Sequence, residues 1–217
     1  FENLGISHLL MFLSVVAIIY GSIAAIFENN LKKLFAYSSI SQIGFITLGI
    51  SLVSTTGLIA SIVHIANHAI TKGAVFLLLG CIAMNDQNLT IEKIKGLGKN
   101  MPLIAGGIVV SGLSLVGIPG TVGFISKWNL IFAMLDKGYW WLAIVTLFSS
   151  LITVIYVWKL VETMYFKKAD EITQPIQKPP TTMVFCSLFL VFLCIYFGLN
   201  PSLPLDGAIA AAQSLTR

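Results

Sequence analysis

Charged residues are scarce in this chain: they make up 10% of its 217 residues, whereas 57% are hydrophobic. A soluble domain carries about 25% charged residues, so the composition excludes an ordinary water-soluble fold. The sequence also lacks the alternating segments of about ten residues that a transmembrane β-barrel requires. Apolar runs of about twenty residues are frequent instead. Together with a mean hydropathy of +0.91, they predict an all-α, polytopic transmembrane helix bundle.

Cysteine is equally rare, and its spacing excludes common metal and redox sites. Cys81, Cys186 and Cys194 lie in apolar runs and match no zinc or redox motif. The sequence has no quinone, flavin or iron–sulfur motif either, so it predicts no metal, no cofactor and no enzyme activity of the chain by itself. The net charge of +4 comes from loops and does not indicate nucleic-acid binding. Because the chain begins at Phe1 rather than Met and lacks a signal-peptide pattern, we expect a fragment of a longer protein.

Six membrane spans are predicted from the apolar runs, and the fourth is too long for one straight helix. In order they are Ser7–Phe27, Leu34–Ser54, Gly57–Met84, Met101–Leu135, Tyr139–Phe166 and Thr181–Leu199. No linker divides the chain, so residues 1–217 are predicted to form a single membrane domain. The tail after Pro201 is expected to lie outside the bilayer.

The loop lysines are concentrated on one side of the predicted bundle. The other side receives only Lys137 and Arg217. The lysines of the rich side are Lys32, Lys33, Lys93, Lys95, Lys99, Lys167, Lys168 and Lys178. Positive loops stay in the cytoplasm. We therefore predict a bacterial inner-membrane protein with cytoplasmic lysine-rich loops and both chain ends outside.

The third span contains three ionisable residues on one helical face. His64, His68 and Lys72 are four residues apart, a spacing that covers about 12 Å of helix. Ionisable groups in hydrocarbon are unfavourable and persist mainly where they carry or bind charge. We interpret this column as a proton relay. Two alternatives stay open: simple hydrogen bonding between helices, and a zinc pair, although no glutamate follows His64 and no third ligand is evident.

The fourth span is interrupted near its midpoint by Gly117, Pro119, Gly120 and Gly123. Proline removes a backbone donor and glycine adopts unusual backbone angles, so we predict two half-helices joined by an unwound hinge. In transporters such breaks mark the substrate path. Lys127 follows within about two turns and is predicted to lie inside the membrane as a further relay residue. The alternative is a proline kink with a lysine that reaches the interface.

Carboxylates are missing from the middle of the spans. Only Glu162 lies within an apolar run, three residues after Lys159, and these two form either a helix-end ion pair or an inner gate. The others fall in loops or at their edges: Glu2, Glu28, Asp86, Glu92, Asp136, Asp170, Glu171 and Asp206. The buried lysines are therefore either neutral at rest or paired with acids from elsewhere. Ser38, Ser41 and Gln42 are candidates to line the path and hold water.

Three segments together resemble a known family. They are LKKLFAYSSISQIGF (31–45), HIANHAITKGAVFLLLG (64–80) and GIPGTVGFISKW (117–128). Their order and spacing are similar to those of the antiporter-like membrane subunits of respiratory complex I and of Mrp-type sodium/proton antiporters. Within this family, GLGKNMP (96–102) and GFISKW are most like the D-type polypeptide of the Mrp antiporters.

The resemblance implies two inverted five-helix repeats in complete family members. Residues 7–166 would form the second repeat and residues 181–199 the final helix. It also implies that Lys127 is the charged relay residue of the discontinuous helix, and that His64, His68 and Lys72 belong to a central hydrophilic axis. The first repeat, absent from this chain, would supply the missing carboxylate.

The function expected from the resemblance is proton translocation in a multi-subunit sodium/proton antiporter. The expected partners are other membrane subunits, protons, Na+ and the lipid bilayer. The alternative is a proton-pumping membrane subunit of NADH:quinone oxidoreductase or of a related membrane hydrogenase. A purely structural scaffold is a third possibility, and the unfavourable burial of three or more basic groups argues against it.

Overall fold

The computed structural model describes residues 5–84, 87–168 and 178–215. Among the charged residues that the sequence assigns to loops or ends, five lie outside this part: Glu2, Asp86, Asp170, Glu171 and Arg217. The described part folds into nine α-helices. They are α1 (Ile6–Phe27), α2 (Leu31–Ser51), α3 (Thr55–Ala83), α4 (Leu97–Asn100), α5 (Pro102–Val116), α6 (Val122–Asp136), α7 (Trp140–Tyr165), α8 (Thr181–Leu199) and α9 (Ser202–Leu215). A short 3₁₀ helix, Ile91–Ile94, precedes α4.

Among the described residues, five helices are long and apolar enough to cross a membrane: α1, α2, α3, α7 and α8. Their ends differ from the predicted ones by three residues at most, so the predicted all-α transmembrane class is confirmed. The largest differences, three residues each, are at the two ends of α2, and the first of them has a local cause. The Asn30 side chain accepts hydrogen bonds from the backbone N–H groups of Lys32 and Lys33 at 3.0 and 3.2 Å. The hydropathy pattern assigns these two lysines to a loop, whereas the cap includes them in the first turn of α2.

The predicted fourth span consists of two half-helices. α5 ends at Val116 and α6 begins at Val122, with residues 117–121 unwound between them. The predicted discontinuous helix is therefore confirmed. The tail after Pro201, for which the sequence predicts only a place outside the bilayer, forms α9 and packs against α3. Ala208 and Ala212, four residues apart on one face of α9, are buried, which allows the close approach.

A polar layer separates two apolar clusters in the bundle. The first cluster includes Phe35, Leu78, Ile108 and Tyr156, near the lysine-rich loops. The second includes Ile18, Phe45, Leu48, Leu130 and Leu142, toward the opposite end. Buried polar side chains of five helices lie between them: Ser22, Ser38, Ser41, His64, Thr71, Lys72, Ser126, Lys127 and Ser149. Since α3 contacts α2, α5, α6, α8 and α9, its polar residues occupy the centre of this layer.

The loops at the lysine-rich end are tied together by backbone hydrogen bonds. An isolated antiparallel bridge pairs Asn30 with Thr90. The Leu31 N–H donates to the Leu89 carbonyl at 2.9 Å. In the following 3₁₀ helix, Glu92 forms an ion pair with Lys95. The start of α2 is therefore held against the loop that follows α3.

Candidate functional site

The residues predicted as a column on α3 lie largely inside the bundle, but two of them contact different neighbouring helices. His64 and Lys72 are buried and His68 is half-buried. Each step of four residues advances about 40° around the helix, so His64 and Lys72 point about 80° apart. His64 consequently contacts α6, while Lys72 contacts α2. The predicted column therefore makes two separate contacts, on adjacent sides of α3.

His64 is held by a serine of the second half-helix. Its Nδ1 atom lies 2.9 Å from the Ser126 Oγ atom. The Ser126 hydroxyl donates to the Gly123 carbonyl at 3.3 Å, so its oxygen is left to accept from His64. With the Ser126 hydroxyl turned to Gly123, the ring proton lies on Nδ1 and Nε2 is an acceptor; with the hydroxyl turned to His64, Nδ1 is the acceptor. His64 Nε2 is buried and has no hydrogen-bond partner in the part of the chain that the structure describes.

Lys72 reaches across to α2. Its side chain is 6% exposed, and its Nζ atom donates to the Phe35 carbonyl at 2.7 Å and to the Ser38 hydroxyl. The ammonium also lies 5.4 Å from the centre of the Phe35 ring, a distance at which the ring face attracts a cation. Ser38, predicted as a lining residue, is therefore a direct partner of the Lys72 amine.

Lys127 caps the end of the half-helix that precedes the break. It is 5% exposed. Its Nζ atom donates to the carbonyls of Leu115 and Val116 at 2.8 and 3.0 Å and to the Ser150 hydroxyl of α7 at 3.0 Å. A cation at a helix C-terminus is stabilised by the helix dipole. Because the amine turns inward to α5, its geometry favours burial over the alternative of a lysine that reaches the interface.

The unwound segment has an ordered backbone. Gly117 adopts a left-handed conformation with φ of 90°, and the Ile118 N–H donates to the Leu113 carbonyl at 3.1 Å. These are the features of a glycine-terminated helix. Gly120 has a φ of 89°. Gly123 has a different role, because a Cβ atom there would overlap the Ser114 carbonyl of α5. The hinge predicted from Gly117, Pro119, Gly120 and Gly123 therefore coincides with the turn and the close contact of the two half-helices.

Polar residues that we did not predict support the break from α3 and from α5 itself. The Asn67 side-chain NH₂ group donates to the Val122 carbonyl at 2.7 Å. The Ser114 hydroxyl accepts from the Gly123 N–H at 3.3 Å and bonds to the Thr71 hydroxyl at 3.1 Å. The three-residue spacing from His64 to Asn67 was a sequence signal for a shared helical face. Backbone groups exposed by the break are thus satisfied by side chains of α3 and α5.

Four buried polar atoms lack a hydrogen-bond partner within the described residues. They are His64 Nε2, Asn67 Oδ1, His68 Nδ1 and Ser111 Oγ. Three of them belong to one turn of α3. Buried polar atoms without protein partners normally bond to ordered water. This turn therefore has the chemistry to hold water beside the two histidines.

The remaining predicted site residues divide into buried and peripheral ones. Ser41 and Gln42 are buried in α2. Lys159 and Glu162 are half-buried near the end of α7, and the structure pairs them differently from the predicted ion pair. Lys159 donates to the Asn29 side-chain oxygen at 3.4 Å instead of to Glu162.

The arrangement places two amines and two imidazoles in one polar layer, and neutral groups hold the two amines and His64. Within the described residues, neither Lys72 nor Lys127 contacts a carboxylate. Neutral partners leave an amine free to hold or release a proton, whereas a fixed carboxylate would favour the charged form. Such a layer is suited to passing single protons between helices.

Comparison with known proteins gives one family and several relatives. The sequence model of the family described as NADH:quinone oxidoreductase/Mrp antiporter, TM, matches residues 1–153. The chain is 35% identical over 160 residues to NADH-quinone oxidoreductase subunit N of Desulforudis audaxviator, covering 74% of this chain and 32% of the relative. It is 38% identical over 164 residues to subunit N of Pelagibacter ubique, covering 75% of this chain and 35% of the relative. The chain thus spans about a third of the length of these relatives.

Two solved structures have similar folds. One is the membrane-bound sulfane sulfur reductase, an archaeal respiratory membrane complex, with a TM-score of 0.88 and 31% identity. It covers 96% of this chain and 42% of the matched chain. The other is the Mrp complex from Dietzia sp. DQ12-45-1b, with a TM-score of 0.83 and 26% identity. It covers 93% of this chain and 46% of the matched chain.

Proposed function

Because this chain belongs to the transmembrane family shared by NADH:quinone oxidoreductases and Mrp antiporters, we propose that it translocates protons within a redox-driven membrane complex of the NADH:quinone oxidoreductase type. The names of the two curated relatives support this choice over the D-type Mrp polypeptide that the sequence motifs favour. Any electron transfer is assigned to other subunits, and this chain contributes the proton path.

The observation that carries the proposal is the pair of buried amines. Lys72 and Lys127 are 6% and 5% exposed and donate only to carbonyl and hydroxyl oxygens within the described residues. Burying an amine with no counter-charge is unfavourable, so such a group persists mainly where its function requires it. A change of its charge state is the simplest such function.

In the proposed path a proton moves from Lys72 through His68 and His64 to Lys127. The free Nε2 of His64 accepts a proton, and Nδ1 then releases its own toward Ser126, next to Lys127. Water at the atoms without protein partners bridges the steps. A proton on one lysine disfavours a proton on the other by like-charge repulsion, so their occupancies are coupled. The break between α5 and α6 allows the two ends of the path to open in turn.

Neighbouring membrane subunits are part of the proposal. Ile118 and Pro119 of the unwound segment are exposed on the surface of this chain. Irregular backbone at membrane depth is tolerated only where protein or a water-filled cavity covers it. This supports a partner subunit against the break. In this proposal residues 7–166 form one five-helix repeat, α8 is the final helix, and the lysine-rich loops face the cytoplasm.

The second candidate is a subunit of an Mrp-type cation/proton antiporter. It is supported by the fold shared with the Mrp complex from Dietzia. In this case the same proton path would be coupled to Na+ movement through other subunits rather than to quinone reduction. The two candidate functions therefore use the same proton path but couple it to different sources of energy.

The test uses the intact complex that contains this chain, reconstituted in liposomes with a pH-sensitive dye inside. Lys127→Ala is compared with Lys137→Ala, a lysine outside the polar layer. The proposal expects proton uptake driven by NADH and quinone to disappear in the first variant and persist in the second. Full pumping by an assembled Lys127→Ala complex would disprove it. Proton movement driven by a Na+ gradient, but not by NADH and quinone, would select the Mrp-type function.

A further inference from the structure

Three buried serines from three helices form a hydrogen-bonded cluster. Ser22 of α1 lies 2.9 Å from Ser41 of α2 and 2.8 Å from Ser149 of α7, measured between Oγ atoms. Ser41 and Ser149 are 3.5 Å apart. We call these three residues the serine cluster.

The hydroxyl groups of the serine cluster bond to one another instead of to the helix backbone. A serine in a membrane helix commonly donates to a carbonyl one turn earlier, as Ser14 does to Leu10 at 2.6 Å. No member of the serine cluster has such a bond among the described residues. Each hydroxyl can both donate and accept. The cluster is therefore a small network of reversible donors, buried at 2% exposure or less.

The serine cluster lies between the partners of the two buried lysines. Ser41 is one helical turn from Ser38, whose Oγ atom accepts from Lys72. The Ser38 hydroxyl donates to the Phe35 carbonyl at 3.0 Å, so it must rotate to pass a proton toward Ser41. At the other end, Ser149 precedes Ser150, whose Oγ atom accepts from Lys127 at 3.0 Å. The serine cluster thus lies between the same two amines as the histidines, on α1, α2 and α7 instead of α3 and α6, and among the described residues no direct hydrogen bond joins it to Ser38 or Ser150.

We propose that the serine cluster is the centre of a second proton route between Lys72 and Lys127. In order, the route consists of Ser38, Ser41, Ser22, Ser149 and Ser150. The Lys72 ammonium gives its proton to the Ser38 oxygen. Each hydroxyl then accepts one proton and releases its own, and the neutral Lys127 amine accepts the last. Rotation of the hydroxyls restores the starting state, so no group gains or loses a proton overall except the two lysines.

Two steps of this route need a bridging water. Ser38 and Ser41 are one turn apart, and Ser149 and Ser150 are neighbours whose side chains point about 100° apart on the helix. One ordered water spans such a gap at little loss relative to a direct hydrogen bond. The inference rests on the proposed function, because it requires the two lysines to exchange protons.

The experiment removes each route separately in the reconstituted intact complex. Ser149→Ala deletes the central hydroxyl, His68→Leu deletes the imidazole route, and the double variant deletes both. Protons taken up per quinone reduced are measured with a pH-sensitive dye inside the liposomes. We expect a partial loss in each single variant and a complete loss in the double variant. Ser149→Thr in the His68→Leu background retains the hydroxyl and is expected to pump as His68→Leu alone does.

Two comparisons distinguish the loss of this route from an effect on packing and from a failure of the proposed function. Ser187→Ala removes a buried hydroxyl on α8 that donates to the Val184 carbonyl and is expected to pump normally. The second route is overturned if the assembled double variant pumps as well as His68→Leu, if His68→Leu alone abolishes pumping, or if Ser149→Thr does not restore it. If Lys127→Ala pumps normally, the proposed function itself fails. If Lys127→Ala stops pumping while Ser149→Ala adds nothing to His68→Leu, only the second route fails.

Discussion

The Nζ atom of Lys127 lies 2.8 Å from the carbonyl oxygen of Leu115, across the break in their common span. The lysine belongs to α6 and the carbonyl to α5, so a hydrogen bond joins the two half-helices where the backbone is unwound. The Val116 carbonyl and the Ser150 hydroxyl complete its coordination. A change in the protonation of this amine therefore changes the contact between the half-helices.

Two substitutions of Lys127 separate its structural role from its role in proton transfer. Lys127→Ala leaves two buried carbonyls without their donor, which is expected to lower stability by about 1–3 kcal/mol and to abolish pumping. Lys127→Arg keeps the charge and the donors but does not release its proton. It is expected to retain stability and to lose pumping. The measurements are the apparent melting temperature of the purified complex and proton uptake by liposomes. Normal pumping by Lys127→Arg would contradict a relay at this position.

Ser126 is expected to set the proton position on His64. Ser126→Ala removes the acceptor at 2.9 Å from Nδ1, so the ring is free to adopt the other tautomer and Nε2 is no longer reserved as an acceptor. In the Ser149→Ala background, where only the histidine route remains, we expect proton flux to fall by about tenfold or more, within the range of contributions that a positioned acid–base group makes. Ser126→Thr retains the hydroxyl and serves as the control. Equal flux in Ser126→Ala and Ser126→Thr would exclude this role.

Gly123 and Gly106 form a matched pair for testing the contact at the break. A Cβ atom at Gly123 would overlap the Ser114 carbonyl, whereas at Gly106 it would meet nothing within 4 Å. Overpacking of this kind destabilises by about 1–3 kcal/mol, so Gly123→Ala should lower the apparent melting temperature of the complex. Gly106→Ala should leave it unchanged. Equal melting temperatures in the two variants would show that the half-helices do not depend on this contact.

The loop before α4 provides a pH-dependent contact outside the membrane. The hydrogen bond and charge of Lys95 hold the pKa of the Glu92 carboxyl below its ordinary value. The unfolded chain therefore binds this proton more readily than the folded one. The resulting stability is present above the ordinary carboxyl pKa of about 4.3 and is lost as the pH falls through the folded value. Because Glu92 is exposed, we expect a small effect.

Glu92→Gln is the variant that tests this contact. It should lower the apparent melting temperature slightly near pH 7, and the difference from the unsubstituted chain should be smaller at pH 3. The scan is run at both pH values on the same preparation. A difference that persists unchanged at the acidic pH would rule out the ion pair as its cause.

Hydropathy and the glycine–proline pattern were sufficient to predict the helices and the break, because both depend on local sequence. The burial of Lys127 followed from its distance to the interface. The partners of Lys127 could not be predicted in this way. Leu115, Val116 and Ser150 become its neighbours only through the rotation of α5 and α7 relative to α6. A sequence states which residues share a face of one helix, but not which face of the next helix lies opposite.

The hydroxyl groups were the hardest part of the polar layer to predict. Ser22, Ser114, Ser126 and Ser149 lie in apolar runs where a serine normally bonds to its own helix. Only the packing of the helices reveals that they bond to other side chains. Ser38 was predicted because the second span could supply polar partners to the column on α3, and in the structure it bonds to Lys72 of that column. Asn67 was missed because its amide is neutral, whereas the signal on α3 came from the ionisable groups beside it.

The length of α5 has an electrical consequence for the amine at its end. This helix has 15 residues and is about 22 Å long, starting at Pro102 beside the lysine-rich loop. The hydrocarbon core is about 30 Å thick. A proton that reaches Lys127 from the lysine-rich end has therefore moved about the length of α5 through the bundle, and a complete crossing of the membrane is worth about 2.3 kcal/mol per 100 mV. The position of the break thus divides the voltage between the loading and the unloading of Lys127.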